Sequence, residues 1–278
     1  MYKLEDPKIT GRPKKKFRCP ACNKPKRFTR YVNAQGQYLS AEYGICDRIN
    51  SCGYHKRPDA PFSYYVNPAP PPKEPPRRYI DWDAVELHFS VDAPFIAYLI
   101  DLFGYDETLA ALQRYHVGVD EERPEFLIFT YIDKQRRLNR IKKQAYSRNG
   151  HRRKEAGSTF TPPQYTVANG YKQVLFGLHL YDPNKITCIT ESEKTALMAS
   201  ITYPEYTWMA TGSMQNTGLI KNVPEAVLYP DKGKAFKYWQ EKLNPRKYPC
   251  DPILEGEDVP ISDGDDLGDL IEMITEAQ

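Results

Sequence analysis

Cys19-Pro-Ala-Cys22 is followed by Cys46 and then by Cys52. Zinc takes four thiolate or imidazole ligands in a tetrahedron, and a Cys-x-x-Cys turn supplies two of them from one tight knuckle. The second pair is wider, with five residues between its members. His55 is near enough to be a substitute ligand, although a lone histidine at such a place is more often a solvated surface residue. Four unrelated free cysteines would be the plain alternative. Paired spacing in a basic segment with no secretory leader points instead to structural Zn²⁺ held by Cys19, Cys22, Cys46 and Cys52. The other two cysteines, Cys188 and Cys250, stand far apart.

A second chemistry lies with the acids. Glu191 follows the short apolar run Ile186-Thr-Cys-Ile-Thr190, and Asp231 follows Ala226-Val-Leu-Tyr-Pro230. In an open parallel α/β sheet the carboxyl ends of the strands form the ligand crevice. Two carboxylates delivered there could hold Mg²⁺ or Mn²⁺, with phosphate oxygens completing the shell. Acids are also ordinary helix caps at strand-to-helix turns, and the local sequence by itself favours that plainer use.

The charge is unevenly placed. The chain has 39 basic and 36 acidic residues, a net of +3, yet residues 134–154 carry ten Lys/Arg and no acid. Residues 1–80 carry 17 basic against six acidic residues, and residues 251–278 carry ten acids and no base. Basic blocks of this density are the footprint of a polyanion partner. Short charge runs are often only solvated surface, but here aromatics lie between the cations. Stacking rings beside phosphate-neutralising cations suit a single strand better than a duplex. The candidate contacts are Arg27 and Arg30 in the first block and Arg137, Arg140, Lys142, Lys143, Arg148, Arg152 and Arg153 in the second, with Lys194 and Lys234 at the starts of later helices. Arg27 and Arg30 share their segment with Arg48, Lys56 and Arg57 and with Phe28, Tyr31, Tyr43 and Tyr54, some of which must form that segment's small core.

The elements that would position these groups follow from pattern. Phe28-Thr-Arg-Tyr-Val and Gly36-Gln-Tyr-Leu read as the strands of a ribbon around the cysteines. The proline-rich stretch over 61–78 reads as a semi-rigid linker, which leaves residues 1–60 as the ribbon module. Residues 79–170 then form a small α+β subdomain. It has a helix over 92–104 capped by Asp92, a second over 106–115, and a basic hairpin of strands 125–133 and 137–146. From 171 to 278 strand and helix alternate: strands at 186–190, 207–212 and 226–230, with helices after the first and third. That alternation is the signature of a parallel sheet. There is no 18-residue apolar run and no apolar leader behind the charged start, so a cytoplasmic protein without a membrane span is expected.

Ile189-Thr-Glu191-Ser-Glu193-Lys-Thr-Ala-Leu197 resembles the first motif of the Toprim domain in bacterial and phage primases, where a strand ends in an essential Glu before a helix. Val174-Leu-Phe-Gly-Leu-His179 is similar to the segment preceding that motif. Arg114-Tyr-His-Val-Gly118 and Leu127-Ile-Phe-Thr-Tyr-Ile-Asp133 resemble the subdomain before it, and a zinc ribbon opens those enzymes too. The chain also resembles compact primase-like proteins of bacterial mobile elements. The resemblance implies a Toprim-like α/β domain behind an α+β subdomain and a zinc ribbon. It implies template-directed RNA primer synthesis on single-stranded DNA for a phage or mobile element, from nucleoside triphosphates, with Glu191 and Asp231 as catalytic magnesium-binding residues and a helicase or other replication protein as a partner.

One departure bears on activity. The family carries Asp-x-Asp after the later strand, and here the run is Tyr229-Pro-Asp231-Lys-Gly233. Gly233 removes one acid and Lys232 adds a cation. Asp263, Asp265, Asp266 and Asp269 in the acidic tail are candidate replacements, if that tail folds back on the crevice rather than remaining in solvent. A catalytically silent single-strand binder and a Toprim-type nuclease are the alternatives.

Overall fold

The computed structural model describes residues 2–6, 15–58, 75–155 and 157–277. Most of the expected linker, residues 59–74, lies outside the described residues. The chain divides into two compact units, residues 1–74 and 75–278.

The first unit is an antiparallel sheet of β1 (Tyr2–Leu4), β2 (Phe28–Asn33), β3 (Gly44–Cys46) and β4 (His55–Lys56), in that order. A single helical turn, α1 (Ile49–Cys52), precedes β4. Among the described residues its core is small: Phe28, Tyr31, Val32, Tyr54 and the buried cysteines Cys19, Cys46 and Cys52. So little apolar surface cannot by itself offset chain entropy. The second ribbon strand is not Gly36–Leu39. Asn33 Oδ1 accepts the amides of Gln35 (3.0 Å) and Gln37 (2.9 Å), and Gly36 takes φ 73°. The chain therefore turns back sharply there and leaves only an isolated bridge, Val32 to Tyr38. The partners of β2 are β1 and β3.

The second unit begins with α2 (Pro94–Phe103) and α3 (Tyr105–Tyr115). The residue preceding α2 is Ala93, with no side-chain cap, and Asp92 does not cap it. Pro94 preorganises the first turn instead. An antiparallel sheet follows, ordered β5 (Gly118–Val119), β6 (Phe126–Ile132), β7 (Leu138–Ala145) and β8 (Thr159–Phe160). The β6–β7 register shifts between Tyr131 and Ile132.

Three parallel strands come next, ordered β10 (Thr207–Ala210), β9 (Thr187–Thr190) and β11 (Val227–Tyr229). α4 (Glu193–Thr202) crosses from β9 to β10, α5 (Lys234–Lys242) follows β11, and α6 (Leu267–Glu276) ends the chain. Residues Glu193 through Ser200 of α4 are all buried. A helix covered on every side must be enclosed, and α4 packs against β9, β10, α3 and α6. Leu99, Leu112, Phe129, Phe176, Ile189, Leu197, Trp208 and Trp239 belong to one core, so the antiparallel and parallel parts fold together. The expected architecture, an α/β domain preceded by an α+β subdomain and an N-terminal ribbon, is present. Among the described residues no helix is long and apolar enough to cross a membrane.

Candidate functional site

In the ribbon, Cys19 Sγ lies 3.7 Å from Cys52 Sγ, and Cys22 Sγ lies 3.9 Å from Cys46 Sγ. All four sulfurs lie within 4.8 Å of one another. A tetrahedron with Zn–S bonds of about 2.3 Å has edges of roughly 3.8 Å. The four sulfurs therefore fit one zinc ion and are far too separated for disulfides. Burial pushes the Cys46 thiol up to about 12. A sulfur so placed carries charge at neutral pH only beside a cation. His55 is not in this set: its Nε2 lies 2.7 Å from the Tyr31 hydroxyl and its ring stacks on Tyr31.

Of the ribbon cations, Arg27 is exposed. Arg30 donates to the Leu39 carbonyl and lies 5.1 Å from the ring centres of both Phe17 and Tyr38. Phe28, Tyr31 and Tyr54 are buried, so those aromatics serve the core.

In the second unit β9 and β11 are hydrogen-bonded neighbours, and the residues that follow them face one crevice of about 390 Å³. Glu191 arrives directly after β9, while Pro230 separates Asp231 from β11. Glu191 Oε1 and Asp231 Oδ1 are buried and make no hydrogen bond. Burial, with Asp266 adding, raises Glu191 to about 7, although the backbone amides of Asp231 and Met214 oppose the shift. Burial raises Asp231 to about 9, with Glu191, Asp266 and Asp269 contributing repulsion.

The acidic tail does fold back. Asp266 caps α6, accepting the amides of Gly268 (2.7 Å) and Asp269 (3.2 Å) and the Thr195 hydroxyl (2.6 Å). Asp269 returns the bond to the Asp266 amide, closing a capping box. Asp265, Asp266 and Asp269 all line the crevice. The tail is pinned to the β11–α5 turn, because the Lys232 amide donates to Asp265 O (2.9 Å) and the Gly264 amide to Lys232 O (3.1 Å). Lys232 Nζ is drawn to the Ile261 carbonyl at 3.0 Å, which gives its ammonium a partner in the tail. Gly233 has φ 80°, and a Cβ there would lie 3.0 Å from Asp263 Oδ1. A tail carboxylate thus stands beside Gly233.

These residues suit a hard divalent cation: all are oxygen donors, and two of the oxygens are buried and unpartnered. The oxygens of Glu191, Asp231 and Asp266 do not all come within 4.8 Å of one another. Magnesium keeps several of its waters, so convergence on one point is not required.

The cations Lys142, Arg152 and Lys154 line the same crevice, with His151 beside them. Several hairpin cations are committed to partners within the fold. Arg137 pairs with Asp133 (2.8 Å) and covers the Tyr79 ring, and Lys143 pairs with Asp120 (2.5 Å). Arg140 holds Thr161 (2.7 Å) and Gln173. Lys194 is buried at 3.5 Å from Asp269. Arg148, Arg152, Arg153 and Lys234 are exposed. Sequence reasoning missed Glu193, which receives Lys142 Nζ at 2.7 Å and the Tyr131 hydroxyl. Its place in the Glu191-Ser-Glu193 run was the available signal.

Residues 93–232 match the sequence profile of DUF6371, a domain of unknown function. That is half of the chain. The chain belongs to the DUF6371 family. The DUF6371 match spans Glu191 and Asp231 and stops before the acidic tail. Residues 1–66 match the profile of a zinc beta-ribbon finger, consistent with the four-sulfur site.

No curated protein matches the sequence. Among solved structures, the chain is similar to the primase fragment of the bacteriophage T7 primase-helicase, at 10% identity and TM-score 0.40, over 90% of this chain and 92% of that one. It is similar to the DnaG catalytic core at 12% identity and TM-score 0.41, over 66% and 71% of the two chains. It is also similar to the zinc-binding and RNA polymerase domains of the Aquifex aeolicus primase, at 10% identity and TM-score 0.38, over 71% and 61%.

Proposed function

We propose that this DUF6371 protein is a primase-like nucleotidyltransferase that joins ribonucleotides on a single-stranded DNA template. The observation that carries the reading is the pair of buried, unpartnered oxygens, Glu191 Oε1 and Asp231 Oδ1, at the ends of neighbouring parallel strands. They face a crevice that Lys142, Arg152 and Lys154 also line. Acids for a divalent cation and bases for phosphates in one crevice are the division of labour that phosphoryl transfer needs, since that chemistry depends on positioning and charge neutralisation. The order of primase-like segments along the sequence supports the same reading.

Glu191, Asp231 and Asp266 are the residues that would hold Mg²⁺ or Mn²⁺, with Asp265 and Asp269 beside them. Bound there, the cation would neutralise triphosphate charge and polarise the reacting oxygens. The exposed cations Arg148, Arg152 and Arg153 would track the template backbone, and Arg27 would do so from the ribbon, whose zinc is structural. Replication of a phage or mobile element, with a helicase nearby, is the setting such an activity would serve.

Incubation with single-stranded DNA, Mg²⁺ or Mn²⁺ and labelled ribonucleotides tests the proposal. Short template-dependent products support it. Cleaved template would identify a nuclease, and bound but unchanged template a silent binder, the reading that Gly233 at the second acidic position favours.

A further inference from the structure

Glu193 sits two residues from Glu191 and is treated differently by the fold. Only 2% of its side chain is exposed, and both of its oxygens are taken. Oε1 accepts the Tyr131 hydroxyl, and Oε2 accepts Lys142 Nζ at 2.7 Å. Glu191 and Asp231 each keep an oxygen without a partner. The crevice therefore holds open carboxylates, Glu191 and Asp231, beside committed ones, of which Glu193 is the one held by a lysine and a tyrosine.

Lys142 is the other half of the pair. It reaches the crevice from β7, opposite Phe129 in the ladder, with 14% of its side chain exposed. An ammonium has three donors, so the bond to Glu193 leaves two for a ligand. A lysine on a flexible stem next to unpaired acids would be drawn to them. The committed carboxylate gives that ammonium a fixed partner instead. The backbone also approaches the pair closely at Gly212. Gly212 has φ 74°, and a Cβ there would lie 2.9 Å from the Tyr131 hydroxyl and 3.1 Å from Glu193 Oε1. Only glycine lets the loop after β10 close over the pair.

We infer that Glu193 is a positioning residue: it fixes Lys142 at the crevice wall, away from Glu191 and Asp231, so that the ammonium contacts the phosphates of the incoming nucleotide. The inference rests on the nucleotide-transfer reading above.

The test is equilibrium binding of ATP to the full chain as wild type, Glu193→Gln, Lys142→Met and the double variant. Glutamine keeps a bond to Tyr131 and removes the charge that holds Lys142. Each single change weakens ATP binding roughly tenfold, the scale of one charge-assisted hydrogen bond. The double variant binds no more weakly than Lys142→Met alone, because Glu193 acts only through Lys142. That non-additivity separates positioning from a merely structural role. The double variant also replaces a buried ion pair by a neutral one, so it stays folded where Lys142→Met could strand a buried charge. Glu193→Gln binding ATP as wild type does would overturn the inference alone. Losses that multiply in the double variant would do the same, since Glu193 would then act independently. A wild type that binds no ATP would overturn both the inference and the nucleotide-transfer reading.

Discussion

Glu191 and Asp231 stand at the ends of hydrogen-bonded parallel strands, and each presents one buried oxygen with no hydrogen-bond partner. Buried polar groups are nearly always satisfied, and an exception calls for an explanation such as an ion. This relationship governs the first two predictions.

Glu191→Gln abolishes product formation while the chain stays folded and keeps its affinity for single strands. The amide is isosteric but coordinates magnesium poorly. Were Glu191 only a charge near a helix N-terminus, the change would cost about 0.3–1 kcal/mol of stability and spare activity. Primer synthesis and a denaturation curve on the same preparation distinguish the two. Asp231→Asn behaves in the same way.

The pair also sets a pH dependence. Glu191 is raised from 4.5 to about 7 and Asp231 from 3.8 to about 9. Both bind a proton more tightly folded than unfolded, so the stability they contribute is complete below about pH 4 and is lost as pH rises through about 7 and then 9. In chelator, the melting temperature of the wild type falls more between pH 6 and pH 9 than that of the Glu191→Gln/Asp231→Asn variant. Added Mg²⁺ narrows the gap and releases protons. Equal slopes for the two proteins in chelator would mean that the pair is not buried as described.

Restoring the second acid does not improve the site. Gly233→Asp forces a side chain into φ 80° and against the Asp263 carboxylate. The strain alone costs about 1–2 kcal/mol, and like-charge repulsion adds to it. The expected result is a less stable protein with no gain in activity. Asp266→Asn keeps the helix cap, because Asn caps as well as Asp, yet loses activity. Asp266→Ala loses activity and about 1 kcal/mol of stability as well. Denaturant titration beside primer synthesis resolves each case.

Among the cations, replacing Arg148, Arg152 and Arg153 together by serine lowers the salt dependence of single-strand binding by about 0.7 for each phosphate no longer neutralised, with little change in stability. Replacing Arg137, Arg140, Lys142 and Lys143 is a poor probe. It breaks the pairs with Asp133, Asp120 and Glu193 and destabilises the hairpin region. Fluorescence anisotropy at several salt concentrations, next to thermal melts, checks both statements.

One zinc per chain is expected, and removing it unfolds the ribbon, because Phe28, Tyr31, Val32, Tyr54 and the cysteines are too small a core to hold it. Cys46→Ser reduces the zinc content measured by elemental analysis and exposes the ribbon to proteolysis. Full zinc retention in that variant would remove Cys46 from the ligand set.

Much of this was legible in the order of residues, because the determinants are local. A Cys-x-x-Cys turn, a β-branched run ending in an acid, and apolar positions at helical spacing each act within a few residues. They placed the four clustering cysteines, β6, β7, β9, β10 and β11, and the two acids at strand ends. The turn at Asn33 escapes a reading of strand propensity because its Asx hydrogen bonds act against the β-preference of Tyr38 and Leu39. Only the tertiary structure decided which charges are open and which are committed. Thr195 meets Asp266 across 71 residues, and Lys142 meets Glu193 across 51. Contacts at such separations depend on how helices and sheets close around a common core, and local pattern carries no record of that closure. A count of ten cations in one segment therefore predicted a basic surface. Packing decided that Arg137, Lys142 and Lys143 are tied to buried acids and that Arg148, Arg152 and Arg153 face solvent.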